Sequence, residues 1–212
     1  MNEKFLNLLF ERYPELGSCR SAITAAAEAM IAVFEQGGTF FCCGNGGSAA
    51  DCDHICGELL KGFMLKHPLP AAECAAFKAA FGEAGADLAK KLQQGLRAVS
   101  LLSHPGYTSA FANDVDANLV YAQQLHSLGR KGDLLLSIST GGNSTNVLAA
   151  LRTAKLMGIR TILLTGNRHG LCESCADCVI AVPESETYRI QERHLPIYHA
   201  LCQTVEAHFF QD

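Results

Sequence analysis

Cys43-Gly44-Asn45-Gly46-Gly47-Ser48 follows the apolar run Thr39 to Cys42 and opens a helical pattern in which His54 and Glu58 stand four residues apart. An apolar strand, a glycine turn and a helix in that order imply a sheet strand feeding a binding loop. Glycines at 44, 46 and 47 let the backbone turn tightly and bare its N–H groups. With the Ser48 hydroxyl at a helix start, Gly46 and Gly47 can hold a phosphate or sugar oxygen. Residues four apart share a helical face, so His54 and Glu58 can point into one cavity beyond the turn.

The same unit returns later in the chain. Asp133 to Ser139 is a continuous apolar run suited to a strand buried on both faces, followed by Thr140-Gly141-Gly142-Asn143-Ser144 and a helix from Thr145 to Met157 closed by Gly158. Thr161 to Thr165 forms the next strand and Cys178 to Val182 the last. Arg97 to Ser103 reads as a second strand, and Asp114 to Leu128 as a helix with Asp114 suited to its N-cap. Strands alternating with helices give an α/β fold with a parallel sheet covered on both faces and binding loops at the carboxyl ends of its strands.

The other segments are helical. Residues 3 to 36 show helical periodicity broken near Pro14 and Gly17, and a long helix runs from about Thr187 to Phe210 with Pro196 inside it, where a kink is expected. Between about 63 and 95, a loop marked by Pro68 and Pro70 precedes two helical pieces, Ala71 to Phe81 and Glu83 to Gln94. This insertion is expected to act as a lid or a subunit contact.

Composition narrows the class. The chain has 212 residues, enough for one α/β domain with helical extensions. Although 49% of residues are apolar, no run approaches the roughly 20 needed to cross a bilayer. A net charge of −4 without a basic run argues against electrostatic binding of nucleic acid or membrane. The N-terminus reads as an amphipathic helix rather than a signal peptide, and ten cysteines without an export signal read as reduced thiols, so the expected location is cytoplasmic. Cys172, Cys175 and Cys178 have zinc-like spacing but no second pair, and read as a short helix followed by a buried strand.

Three motifs carry a resemblance: Cys43 to Ser48, Ser-Ile-Ser-Thr-Gly-Gly-Asn-Ser at 137 to 144, and Arg-Ile-Gln-Glu at 189 to 192. Together they resemble the SIS (sugar isomerase) fold, and within it the phosphoheptose isomerase family, over nearly the whole chain except residues 63 to 95. The resemblance implies one SIS domain over residues 1–212. Its fold would be a flavodoxin-like, three-layer αβα sandwich with a five-stranded parallel sheet. It also implies a homotetramer with active sites at subunit interfaces and a phosphorylated sugar as substrate. Asn45, Ser48 and Asp114 would contact the sugar, and Ser139, Thr140 and Ser144 the phosphate. His54, Glu58, Gln191 and His199 match residues described both as a zinc site, one ion per active site, and as acid/base machinery.

Two positions depart from the family. Gly141 stands where a serine is frequent and Tyr188 where an aspartate is frequent, which puts the substrate in question more than the fold.

An aldose–ketose isomerase takes a proton from the carbon beside a carbonyl and returns it to the neighbouring carbon. A carboxylate in a partly apolar pocket suits the first step and an imidazole the transfer between oxygens, which points to Glu58 as base and His199 as acid. His54 and Gln191 would then orient the reacting oxygens or complete a metal site. In a straight helix Gln191 and His199 are about 12 Å apart along the axis, so their meeting requires the Pro196 kink or a second subunit. The competing reading is a non-catalytic SIS protein that binds phosphosugars or proteins, like the factor that associates with the bacterial replication initiator. Retention of both Glu58 and His199 favours the enzyme.

Overall fold

The computed structural model describes residues 1–210. Five parallel strands form one sheet: β1 (Phe40–Gly44), β2 (Ala98–Ser100), β3 (Leu134–Ile138), β4 (Arg160–Thr165) and β5 (Cys178–Ala181), in spatial order β2-β1-β3-β4-β5. Register pairs Phe40 with Ala98 on one side and with Leu134 on the other. This is the doubly wound order in which the chain leaves β1 in one direction and resumes at β3 in the other. The carboxyl ends of β1 and β3 therefore flank the crevice where such sheets bind ligands.

Helices cover both faces. On one side lie α1 (Lys4–Arg12), α2 (Arg20–Glu35), α3 (Gly47–Leu60) and α8 (Thr187–Phe209), packed on Phe40, Cys42, Leu134, Leu136, Ile162 and Leu164. On the other lie α6 (Val120–Leu128) and α7 (Thr145–Met157), packed on the alternate residues Phe41, Cys43, Leu135 and Leu163. Both faces of every central strand are apolar because neither meets water. A fully buried leucine or phenylalanine here contributes roughly 1.5–3 kcal/mol, and the helices supply most of the buried apolar residues that cover the sheet.

Several elements differ from their expected extent. The second strand shortens to Ala98–Ser100, since Leu101 and Leu102 already turn away at the sheet edge. The helix expected from Asp114 starts only at Val120. A short helix α5 (Pro105–Phe111), a π-helical turn (Ala112–Asp116) and a 3-10 turn (Ala117–Leu119) precede it. Asp116, not Asp114, takes the capping role: its backbone is extended and its carboxylate accepts the Asn118 N–H at 2.8 Å. α8 continues through Pro196 as one helix. Glu173–Cys175 forms a 3-10 turn before β5; Cys172 is buried in the core, which raises its thiol to about 11, and Cys175 and Cys178 pack partly buried against the core.

α4 (Ala71–Lys91) is two helical pieces joined at Gly82, whose φ of 61° lies in the left-handed region. The second piece folds back so closely that a Cβ on Gly85 would sit 2.0 Å from the Phe77 carbonyl oxygen. Of this hairpin only Gly85 and Ala89 are buried, and Phe81 and Leu88 remain exposed. Its base is pinned by a bridge between Pro68 and Gln93 and by Gln94 N–H donating to His67 C=O at 2.8 Å. The base rests on α8: Glu206 accepts the N–H groups of Phe63 and Met64 at 2.6 and 2.9 Å, and lies 2.9 Å from His67 Nε2. His67 in turn stacks on Phe210 with ring centroids 3.6 Å apart.

Candidate active site

The two glycine loops meet at the carboxyl ends of β1 and β3. Between them lies a cavity of about 310 Å³ lined by Asn45, Gly46, Gly47, Ser48, Ser139, Thr140, Ser144, Thr187 and Gln191. Gly46 takes φ +55°, which turns the chain from strand into α3. Gly47 is bare because Gln191 occupies the space: an added Cβ would lie 2.7 Å from Gln191 Nε2.

In the second loop Gly142, at φ +64°, lies against Gly170, and a Cβ on Gly170 would come within 2.3 Å of the Gly142 carbonyl carbon. The loop after β4 is tied to it by Asn143, which accepts the Leu171 N–H at 2.9 Å and donates to Gly141 C=O at 2.9 Å. Ser139 and Ser144 hydroxyls lie 3.0 Å apart. The N–H groups of Gly47, Gly141, Ser144 and Thr145 have no acceptor among the described residues. Orphan donors and two hydroxyls at the start of α7 suit a phosphate dianion without help from lysine or arginine.

From this cavity α3 and α8 run side by side in the same direction toward the amino edge of the sheet, where Leu96 N–H donates to Leu59 C=O. The acid/base candidates lie along this seam. His54 Nε2 is 3.2 Å from Glu58 Oε1, and Lys61 Nζ donates to Glu58 Oε2 at 2.9 Å. The His199 ring lies edge-on to His54 at a centroid separation of 5.1 Å and against Phe63 at 5.6 Å. Burial lowers the pKa of His199, the charge of His54 lowers it further, and Glu58 acts in the opposite direction. A second cleft, of about 280 Å³, opens beside His199 between α1 and α8, with Phe5, Leu8 and Arg12 on one wall and Leu195 and Pro196 on the other.

The SIS domain family matches residues 15–94 and 78–166 of the chain. Phosphoheptose isomerase of Burkholderia pseudomallei (strain 1710b) is 35% identical over 190 residues, covering 90% of this chain and 83% of that protein. That of Helicobacter pylori (strain P12) is 34% identical over 194 residues, covering 92% and 88%. The chain belongs to the SIS domain family, among its phosphoheptose isomerases. The structure of a phosphoheptose isomerase from Francisella tularensis superposes with a TM-score of 0.73 at 28% identity, covering 97% of this chain and 98% of that one.

Against this family's pattern, the fold gathers Asn45, Gly46, Gly47, Ser48, Ser139, Thr140, Ser144 and Gln191 around one cavity. It sets His54, Glu58 and His199 together on the seam below. Gln191 stays with the loops, so of the four candidate metal-ligating residues three lie on the seam and one in the cavity. No group of three or more His, Cys, Asp or Glu side chains is arranged to hold a metal among the described residues. Asp114 lies apart, exposed on the π-helical turn, with its carboxylate accepting from Asn113 Nδ2 at 2.9 Å.

Several site residues escaped the sequence reading. Asn146 exchanges two 2.8 Å amide hydrogen bonds with Asn45, joining the two loops. Tyr121 donates to Gly44 C=O at 2.6 Å and reaches Asn45 Oδ1 at 3.1 Å. Tyr198 and Asp51 adjoin His54. The only local signal for any of these was Asn146 inside the second Ser/Asn-rich helix start.

Proposed function

We propose that this isomerase interconverts sedoheptulose 7-phosphate, or a ketose phosphate of similar size, with its isomer by enediol proton transfer. The observation that carries the reading is the pairing of a lysine-free anion cradle at the β1/β3 crevice with a His–Glu–His seam directly beneath it. The phosphate occupies the Ser139–Ser144 loop and the sugar extends past Asn45, Ser48 and Gln191. Glu58 takes the proton from the carbon beside the carbonyl and returns it to the neighbouring carbon. His199, whose pKa burial lowers, donates an N–H to the carbonyl oxygen and recovers a proton from the adjacent hydroxyl. The relatives favour this enzyme over a non-catalytic SIS factor.

Zinc, one ion per site, would call on His54, Glu58 and His199, whose imidazoles and carboxylate suit it in kind, but among the described residues these side chains are not arranged around one point and Gln191 lies with the loops, so no step is assigned to the metal. Asp114 is assigned to the sugar in the assembled protein. A homotetramer that completes the seam is supported by the 42% exposure of the His54 side chain at the centre of the machinery, and a cytoplasmic location by ten free cysteines. Light scattering measures the assembly, where a monomer would remove the shared site.

The deciding experiment follows turnover and solvent deuterium exchange on a panel of ketose phosphates for the wild type and Glu58→Gln, with and without zinc. Turnover with exchange, both abolished by Glu58→Gln, is expected. Phosphosugar binding without turnover or exchange on any substrate would overturn the reading.

A further inference from the structure

Val147, the third residue of α7, is fully buried, and its N–H lies too near the helix start to find a carbonyl one turn back. Ser144, which precedes the helix and would ordinarily serve that N–H, turns its hydroxyl to Ser139 instead. The Val147 N–H donates to Asn146 Oδ1 at 2.9 Å. That contact fixes which way round the Asn146 amide stands, since a flipped amide would set its NH₂ against the N–H and leave a buried donor unpaired.

A second orientation follows from the first. Asn146 Oδ1 accepts from Asn45 Nδ2, and Asn146 Nδ2 donates to Asn45 Oδ1, both at 2.8 Å. Turning Asn45 alone would face oxygen with oxygen and nitrogen with nitrogen, so a backbone N–H of α7 decides the amide of the first loop. Behind Asn45 stands Tyr121, 2% exposed, whose hydroxyl donates to Gly44 C=O at 2.6 Å and reaches Asn45 Oδ1 at 3.1 Å. Burial pushes the Tyr121 phenol up, so it keeps the hydrogen that it shares between those two oxygens.

Both amide oxygens are thus taken up, Asn45 Oδ1 by Asn146 and Tyr121, and Asn146 Oδ1 by Asn45 and Val147. Asn45 keeps the second hydrogen of Nδ2, which has no acceptor among the described residues, on a side chain that lines the cavity. We propose that Asn146 is a positioning residue of the sugar site, holding the Asn45 amide so that it meets the substrate only as a hydrogen-bond donor. The group recognised is an acceptor oxygen of the sugar. A sugar without an oxygen at that point leaves the donor unpaired, and the amide cannot rotate to offer its own oxygen instead. Because Asn146 stands two residues after Ser144, the sugar's donor is set from the same helix start as the phosphate loop. This role rests on the phosphosugar reading, whereas the orientation of the pair does not.

The test measures binding by calorimetry with sedoheptulose 7-phosphate and with inorganic phosphate, in a Glu58→Gln background that keeps the sugar from being turned over. Asn146→Leu is expected to weaken the sugar phosphate about five- to tenfold and inorganic phosphate hardly at all. Added to Asn45→Ala, the same substitution should cost nothing further. Asn146→Ser, whose hydroxyl can still serve the Val147 N–H but is too short to reach Asn45, should lose as much, and it decides alone if Asn146→Leu fails to fold. Without any sugar, spectra of ¹⁵N-asparagine-labelled protein, assigned through Asn45→Ala, should show one Asn45 side-chain hydrogen protected from solvent exchange and released in Asn146→Leu. Equal losses with and without Asn45 would reduce Asn146 to a helix cap and overturn the proposal, as would two freely exchanging Asn45 hydrogens in the wild type. Binding of phosphate but not of the sugar phosphate would likewise overturn the role. Absence of turnover in a wild type that binds the sugar would remove the isomerase reading and leave this one standing.

Discussion

The loop cavity and the α3–α8 seam are built from different materials. The cavity is made of main chain and short hydroxyls, fixed at the ends of two neighbouring strands and tied across by the Asn45–Asn146 amide pair. The seam is made of long titratable side chains on two helices, and its centre is open to solvent on one side. A backbone cradle is rigid because the sheet is rigid. A side-chain seam has to be oriented residue by residue, which is the office of Tyr198, Asp51 and Lys61. The first region suits uniform binding of a phosphate, and the second suits groups whose protonation changes during reaction.

The largest expected effect tests that division. Glu58→Gln and His199→Gln should each lower kcat about 10²–10⁴-fold with little change in KM, whereas Ser144→Ala should raise KM with kcat nearly unchanged. Steady-state kinetics on the substrate that turns over checks both, and a kcat loss confined to Ser144→Ala would dissolve the distinction.

A second test addresses how the seam is fastened to the sheet. His194, fully buried on α8, faces the Thr165 carbonyl at 3.4 Å, and burial lowers its pKa to about 4. The unfolded chain takes up a proton near pH 6.5 that the folded state refuses, so stability falls as pH drops from about 6.5 to about 4, by about 3 kcal/mol. Denaturant titrations across that window should show the slope. It should flatten in His194→Gln, and a pH-independent wild type would show that α8 is not held in this way.

A smaller effect is expected from Gly170→Ala. The added methyl would press on the Gly142 backbone, which cannot yield as a side chain would, at a cost of about 1–3 kcal/mol. Thermal unfolding reads the loss, and phosphate affinity should fall with it. The smallest belongs to Gly47→Ala, where the contact is the flexible end of Gln191. Gln191 should swing aside with little loss of stability, and weakened sugar binding with phosphate binding unchanged would sharpen the assignment of Gln191 to the sugar.

The same contrast governs what could be read from the sequence. The sheet and both loops were legible because each is written in contiguous residues: an apolar run, a glycine turn, a helix. The split of α4 at Gly82 was visible as a break between two helical pieces. The start of α6 was misplaced because nothing local separates a π-helical turn from ordinary helix at Ala112–Asp116, and two aspartates competed for one cap. The seam was legible only as a set of candidates. Tyr198 meets Asp51 and His54 across more than 140 residues, and Tyr121 meets Gly44 across 77, so neither pairing leaves a periodic trace. Gln191 lines the loop cavity and His199 lies on the seam, about two turns further along a helix that the chain keeps through Pro196.

The α4 hairpin leaves the body and returns to it at a single point, the Pro68–Gln93 bridge above Glu206. Because both ends are pinned there, the number of residues between them is decoupled from sheet register. Lengthening or shortening the hairpin changes only a loop-closure entropy that grows as the logarithm of its length. The hairpin is therefore a modular graft point, where the chain can acquire or lose a projecting arm without re-solving its fold.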